Sequence, residues 1–214
     1  MDKTYIEQFK RDGFVKMPGF IPDDILSVMR HEYNRVVSGD HNVESWKKSQ
    51  KPGEVQQLSA IRRNIPGFLE LGYLELMVAA ASELQGMEIG VAYDQLIYKP
   101  PHSDGETPWH QDAGYWRENP RAHENGLTCW LALDTVTPDM GSMRFIPGSH
   151  LKGIADHADA RHKSKINGAL EATVDESEAA IMSYEAGDVT FHHARTLHYT
   201  PGNTSEHDRL SLVT

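Results

Sequence analysis

The stretch Thr107-Pro108-Trp109-His110-Gln111-Asp112 decides how this chain is read. It sets an imidazole and a carboxylate two residues apart. In an extended segment, residues i and i+2 point to the same face. His110 and Asp112 then reach one metal ion while Gln111 points away. The chain holds 12 histidines, so a His-x-Asp triplet alone is weak; an isolated match reads first as a loop histidine beside a solvated aspartate. Residues later in the chain reverse that reading.

Two ligands from one strand need a third from elsewhere, and His198, on a strand-like piece over residues 197–200, is the candidate. Two histidines and one carboxylate on one face of a metal, with other positions open, describe a non-heme Fe(II) oxygenase site. If residues 201–206 form a hairpin turn centred between Asn203 and Thr204, His198 faces Arg209, and Thr200 shares the face of His198. The expectation is one inward surface carrying a histidine, a hydroxyl and a guanidinium. A metal-bound 2-oxo acid needs its distant carboxylate held. A guanidinium does this with two parallel, charge-assisted hydrogen bonds, and the Thr200 hydroxyl adds another. The competing reading pairs Arg209 with Asp208 or Glu206 at the surface. His192 and His193 compete for the ligand role, but neighbours on a strand point to opposite faces, so one of them packs inward without ligating. His150 reads as stabilising its Pro147-Gly148-Ser149 turn, and His157 and His162 as solvated.

The surrounding pattern is helical first and extended later. Tyr5, Ile6 and Phe9 suit a short helix over residues 4–11, ended by Asp12-Gly13, with Phe14-Val15 extended after it. Asp23 and Asp24 belong at a helix start. Ile25, Val28, Met29, Tyr33, Val36 and Val37 then recur at helical spacing until Gly39. Residues 41–53 read as an exposed polar loop, and 66–85 as another helix, broken by Gly86. From Ile89, alternation through Val91, Tyr93, Gln95 and Ile97 predicts a strand closed by Lys99-Pro100-Pro101. Further strands are expected over 127–134, 143–146, 179–182, 189–193, 197–200 and 209–213, with a polar excursion over 150–172. Short strands with regular turn signals predict a sandwich or barrel, with the N-terminal helices packed on one outer face of a single domain over residues 1–214.

Composition narrows the functional classes. Hydrophobic residues at 39% and charged residues at 24% of 214 suit a globular, soluble chain with a sizeable core. Acidic residues outnumber basic ones, 31 to 21, and the formal net charge of −10 opposes nucleic-acid and anionic-membrane binding. A small-molecule partner is expected instead. Cys129 is the single cysteine, so no intrachain disulfide forms, which suits a reducing, cytoplasmic setting. No basic start precedes an apolar run, no apolar stretch approaches membrane-spanning length, and Ser211-Leu212-Val213-Thr214 is not a peroxisomal address.

Four motifs together resemble a known family. They are Phe9-Lys10-Arg11-Asp12-Gly13-Phe14-Val15; His110-Gln111-Asp112; Trp130-Leu131-Ala132-Leu133-Asp134 with Gly141 through Pro147-Gly148-Ser149-His150; and Gly187-Asp188 through His198 to Arg209. In order and spacing they resemble the phytanoyl-CoA hydroxylase (PhyH-like) family of Fe(II)- and 2-oxoglutarate-dependent dioxygenases. The resemblance implies a mainly β fold, a double-stranded β-helix or jelly-roll, cupin-like barrel with flanking α-helices. It implies iron ligands at His110, Asp112 and His198, and the 2-oxoglutarate carboxylate partner at Arg209. Further cosubstrate contacts are implied at Thr200, Trp130 and Gln95, the last two with barrel packing as the competing role. The implied cofactors are Fe(II), 2-oxoglutarate and O₂, and the implied reaction is hydroxylation of a small metabolite with release of succinate and CO₂. Related halogenases lack the carboxylate that Asp112 supplies, so hydroxylation is favoured, with desaturation, ring closure and endoperoxide formation open. A phytanoyl-CoA substrate is not expected without a peroxisomal address. Tyr115, Trp116 and Arg117 are candidates for the pocket rim, and Arg62 and Arg63 for meeting an anionic group. Family members usually continue the Arg209 strand past the point where Thr214 stands, so a further segment contributing to the lid is expected there. The alternatives are a cupin-like metal-dependent isomerase or hydrolase working without 2-oxoglutarate, and a non-enzymatic jelly-roll binding module.

Overall fold

The computed structural model describes residues 1–40, 53–116, 118–160 and 169–214. Most of the expected 41–53 loop, Arg117 and His162 lie outside the described residues. Helices come first: α1 (Lys3–Asp12), α2 (Asp23–Ser38) and α3 (Tyr73–Gln85). Asp2 caps α1 by accepting from the Thr4 amide, and Gly13 ends it at φ 82, a left-handed position that suits glycine. The expected single helix over 66–85 is two elements. A 3₁₀ stretch Pro66–Leu71 stops at Gly72, whose φ of 71 breaks the run before α3 begins.

The strands are β1 (Phe14–Met17), β2 (Gln56–Ser59), β3 (Gln95–Lys99), β4 (Thr107–His110), β5 (Leu127–Ala132), β6 (Arg144–Phe145), β7 (His157–Asp159), β8 (Leu170–Ala172), β9 (Ala180–Ile181), β10 (Val189–His193), β11 (His198–Thr200) and β12 (Arg209–Val213). They form an antiparallel six-stranded sheet, β1-β10-β5-β12-β3-β2, and an antiparallel four-stranded sheet, β4-β11-β6-β9. β7 and β8 pair as a separate ribbon inside the expected polar excursion. The strand expected from Ile89 begins only at Gln95, because residues 89–94 take no strand partner. β2, Gln-Gln-Leu-Ser, has no alternating apolar signal and pairs because β3 offers it an edge.

The large sheet is buried on both faces, so its strands alternate between two cores. Cys129 and Leu131 of β5, Val189 and Phe191 of β10, and Leu210 and Leu212 of β12 pack with Phe9 of α1, Met29, Tyr33 and Val36 of α2 and Met77 of α3. Full burial of a side chain such as Met29 or Val36 contributes about 1.5–3 kcal/mol. The intervening residues Trp130, Ala132 and Val213 face the small sheet and pack with Phe145 and Met143. This arrangement is a jelly roll with helices covering one outer face.

One expectation is overturned in the connection after β11. Residues 201–208 do not close a hairpin. β11 pairs with β4 and β6 in the small sheet, whereas β12 pairs with β3 and β5 in the large one. Asn203 holds the crossover: its Nδ2 donates to the carbonyls of Lys99 at 3.1 Å and His207 at 2.7 Å, and its Oδ1 accepts from the Ser205 amide and hydroxyl. His198 therefore stands opposite His110 and Phe145, and Arg209 opposite Lys99.

Candidate active site

β4 ends at His110, but Gln111 stays extended at φ −118 and ψ 134, and Asp112 opens a 3₁₀ turn. Extension through Gln111 returns His110 and Asp112 to one side, as the triplet implied. Gln111 does point away. Its Nε2 donates to the carbonyls of Gly153 at 2.8 Å and Arg195 at 2.6 Å, and its Oε1 accepts from the Ala155 amide at 2.7 Å. That bonding pins the triplet between two loops.

The His198–His110 cross-strand pair sets the two imidazoles side by side, with ring centroids 4.1 Å apart. Each ring is oriented in the same way. His110 Nδ1 lies 2.8 Å from the Pro108 carbonyl, and His198 Nδ1 lies 2.9 Å from the Thr196 carbonyl. A carbonyl can only accept, so both Nδ1 atoms carry the proton and both Nε2 lone pairs are free to ligate. Those Nε2 atoms stand 3.6 Å and 3.7 Å from Asp112 Oδ1. One donor atom from each of the three residues lies within 4.8 Å of the others, and all three residues are buried. Ligands about 2.1 Å from a shared ion stand roughly 3.0–3.5 Å apart, so slight closure would let them share one.

The second carboxylate oxygen is held too. Thr128 donates to Asp112 Oδ2 at 2.6 Å, leaving Oδ1 toward the imidazoles. Burial works against the Asp112 charge, while protonation of the surrounding His198, His110 and His192 imidazoles would outweigh it and hold the carboxyl well below the usual carboxylate range. Burial first, then the neighbouring His110, push the His198 imidazole well below its ordinary value, so it stays neutral and able to ligate. His192 is the inward member of its pair: its Nε2 is 3.3 Å from Asp112 Oδ2, and its ring centroid is 4.4 Å from that of His198. His193 turns outward, accepting from the Arg195 amide and donating to the Glu124 carbonyl.

Across from this cluster, on the other sheet, is Arg209. It is 1% exposed, yet no carboxylate lies within 4.0 Å of it among the described residues. Its Nη1 donates to the Gly141 carbonyl at 2.8 Å and its Nη2 to Ser211 Oγ at 3.4 Å, while Nε has no partner among the described residues. Burial lowers its pKa to about 10. The surface pairing with Asp208 or Glu206 is absent: Asp208 accepts from the Tyr98 hydroxyl and Glu206 meets His102. A buried cation without a counter-ion is costly unless an anion visits it. The neighbouring Trp130 places its ring 5.6 Å from the Arg209 guanidinium carbon, and its own Nε1 is buried with no partner among the described residues.

His110, Asp112, His198, Thr200, Arg209, Trp130 and Gln95 all line one cavity of about 380 Å³. His198 and Thr200 reach it from the small sheet and Arg209 from the large one, so the single inward surface expected from a hairpin is two facing surfaces. Tyr115 and Trp116 stand at its rim with Tyr93, and the Tyr115 ring meets His110 edge-on at 5.5 Å. An adjoining, larger and more open cavity of about 730 Å³ shares those three aromatic residues but not the ligand cluster, so the candidate site is the smaller one. Arg62 and Arg63 do not line the cavity, and Arg62 is bonded to Asp94 at 2.6 Å. His157 is not solvated; its Nε2 accepts from the Gln111 amide at 3.1 Å. His150 bonds not its own turn but the Lys10 carbonyl at the end of α1. Motif and spacing do not single out Thr128 and Lys99. The period-two pattern that puts Trp130 and Gln95 inward also selects them, Thr128 beside Trp130 and Lys99 two places beyond Ile97.

Comparison with known proteins agrees with this geometry. The profile of the phytanoyl-CoA dioxygenase (PhyH) family matches residues 9–211. A probable alpha-ketoglutarate-dependent hypophosphite dioxygenase from Stutzerimonas stutzeri is 25% identical, over 94% of this chain and 73% of that protein. Ectoine dioxygenase from the same species, strain A1501, is 22% identical, over 97% of this chain and 74% of its own length. The crystal structure of EvdO2 from Micromonospora carbonacea complexed with 2-oxoglutarate superposes with a TM-score of 0.81 at 24% identity, covering 100% of this chain and 89% of that one. The chain therefore belongs to the phytanoyl-CoA dioxygenase family, and with it to the Fe(II)- and 2-oxoglutarate-dependent dioxygenases.

Proposed function

We propose that this protein oxidises a small organic metabolite, most simply by hydroxylation, consuming 2-oxoglutarate and O₂ and releasing succinate and CO₂. In this reading His110, Asp112 and His198 hold Fe(II) on one face. Their free Nε2 atoms and Oδ1 form a donor set suited to that ion. Bound there, iron would supply the activation of O₂ coupled to oxidative decarboxylation of 2-oxoglutarate. The carrying observation is Arg209, a buried guanidinium with an unpaired Nε–H, facing those three residues across the same cavity. A dicarboxylate whose near end meets the metal presents its far carboxylate to Arg209 and Thr200.

The remaining residues position and exclude. Thr128 fixes the Asp112 carboxylate, Trp130 walls the cavity beside Arg209, and Gln95 lines the side toward β2. Tyr93, Tyr115 and Trp116 form the entrance through which a substrate approaches, and a net charge of −10 disfavours nucleic acid in that role. Among the described residues no helix is long and apolar enough to cross a membrane. We also assign the chain a cytoplasmic location and treat it as a single domain, on its lone, buried Cys129 and on the one large sheet that both cores share.

Anaerobic titration with Fe(II) and 2-oxoglutarate tests the reading. A metal-to-ligand charge-transfer band is expected. Metal binding without that band would point to a cupin-like isomerase or hydrolase, and no metal binding to a jelly-roll binding module.

A further inference from the structure

Lys99 closes β3 on its inner face and is fully buried. It stands directly opposite Arg209 in the β3–β12 ladder. Two cations facing each other across a strand pair repel, and buried ones repel more strongly than exposed ones. Neither has a carboxylate within 4.0 Å among the described residues. Burial, then the charge of Arg209, push the Lys99 ammonium well below its ordinary pKa. Glu106 offsets this in part, but its carboxylate accepts from the Tyr199 hydroxyl.

The partners of Lys99 are neutral oxygens. Its Nζ donates to the Pro201 carbonyl at 2.6 Å, to Thr200 Oγ1 at 3.0 Å and, more weakly, to the Thr200 carbonyl at 3.4 Å. Three acceptors match the three N–H bonds of an ammonium. The bond to Thr200 Oγ1 has a directional consequence. A hydroxyl that accepts from an ammonium cannot aim its own proton back at it, so the Thr200 proton is directed elsewhere. Thr200 lines the 380 Å³ cavity beside Arg209.

We propose that Lys99 is a positioning residue for the far carboxylate of the cosubstrate: it orients the Thr200 hydroxyl as a donor and, with Arg209, makes the cavity select 2-oxo dicarboxylates over 2-oxo monocarboxylates. This inference rests on reading the cavity as the 2-oxoglutarate site. Among the described residues this pair of cations has no carboxylate within 4.0 Å, and a carboxylate entering the cavity supplies one negative charge beside Arg209. Lys99 itself is set behind Thr200 and acts through it.

The test compares wild type with Lys99→Met and with Lys99→Gln, which keeps an N–H donor for the Pro201 carbonyl. Each is loaded with Fe(II) without oxygen and titrated with 2-oxoglutarate, then with 2-oxobutanoate, which lacks the far carboxylate. The charge-transfer band reports binding. Both variants should raise the Kd for 2-oxoglutarate about tenfold or more, the scale of one charge-assisted hydrogen bond, while 2-oxobutanoate binding stays within about twofold. Adding Thr200→Val to Lys99→Met should weaken 2-oxoglutarate binding by less than the two single effects combined, because both act on one donor. Unchanged 2-oxoglutarate affinity, equal weakening for both acids, or full additivity would each overturn the proposal. Failure of both variants to fold would assign Lys99 a purely structural role and overturn it as well. If wild type shows no band with 2-oxoglutarate, the cosubstrate reading falls and this inference with it. A wild-type band with unaltered selectivity in the variants removes this inference alone.

Discussion

Replacing Arg209 with methionine separates a binding role from a structural one. The guanidinium carries five N–H donors, of which one is used on the Gly141 carbonyl and one, weakly, on Ser211. Nε is among those left over, so one edge remains able to grip a carboxylate with two hydrogen bonds. Each such bond to a charged group is worth about 1.5–3 kcal/mol, so Arg209→Met should weaken 2-oxoglutarate binding by roughly 10²–10⁴-fold. Stability should behave differently. A guanidinium held at about 10 instead of 12.5 is disfavoured in the empty site by roughly 3 kcal/mol, a penalty that methionine removes. Against this stands the Gly141 carbonyl left without its donor, about 1–3 kcal/mol. The two nearly cancel, so the cosubstrate-free variant should melt within a few degrees of wild type. Anaerobic 2-oxoglutarate titration and thermal unfolding of the same preparations check both halves. A variant that binds 2-oxoglutarate normally but unfolds much earlier would refute the reasoning, because Arg209 would then be a core-building residue.

Three further outcomes rest on the same geometry. Thr128→Val removes the hydrogen bond to Asp112 Oδ2 and should weaken Fe(II) binding about 10–100-fold, measured by competition with a chelator, with little change in the fold. Gly141→Ala would set a Cβ 2.5 Å from the Pro201 carbonyl oxygen at a φ of 80. It should destabilise the protein by more than about 1 kcal/mol and displace the carbonyl that seats Arg209, so melting temperature and 2-oxoglutarate affinity fall together. His193 is held down to about 4 by burial, and its Nδ1 is occupied as an acceptor from the Arg195 amide. The unfolded chain takes up that proton near pH 6.5 and the folded chain does not. Stability from this residue is therefore complete above about 6.5 and is lost as pH falls toward about 4, by roughly 3 kcal/mol in all. Urea unfolding of His193→Gln at pH 7.5 and 5 should show the shallower pH dependence, and parallel curves for variant and wild type would contradict it.

Much of this site was legible because its signals are local. A His-x-Asp spacing in an extended segment is a statement about two neighbouring side chains, and the alternation in 189–193 correctly turned one of His192 and His193 inward. The gaps have physical causes. The break at Gly72 is one backbone dihedral inside an apolar run, and periodicity does not sense it. β2 exists because β3 had an open edge. His157 sits in a polar stretch, and only the β7–β8 ribbon brings it to the Gln111 amide.

Beyond the jelly roll that the family resemblance implied, the residue types and their order were enough to single out His110, Asp112, His198 and Arg209 and to predict a sandwich or barrel with helices on one outer face. These depend on short-range periodicity and on chemistry that few side chains can perform. Tertiary structure decided which strand meets which. A turn-rich segment such as residues 201–208 can close a hairpin or cross between sheets with the same composition, and the bonds that choose, from Asn203 to Lys99 and His207, span the fold. That choice set His198 against His110 instead of Arg209, and placed Arg209 beside Lys99 on the facing wall. Pairing across long sequence separations is governed by the sum of distant packing and hydrogen bonds, so it belongs to the folded molecule and not to any one stretch of the chain.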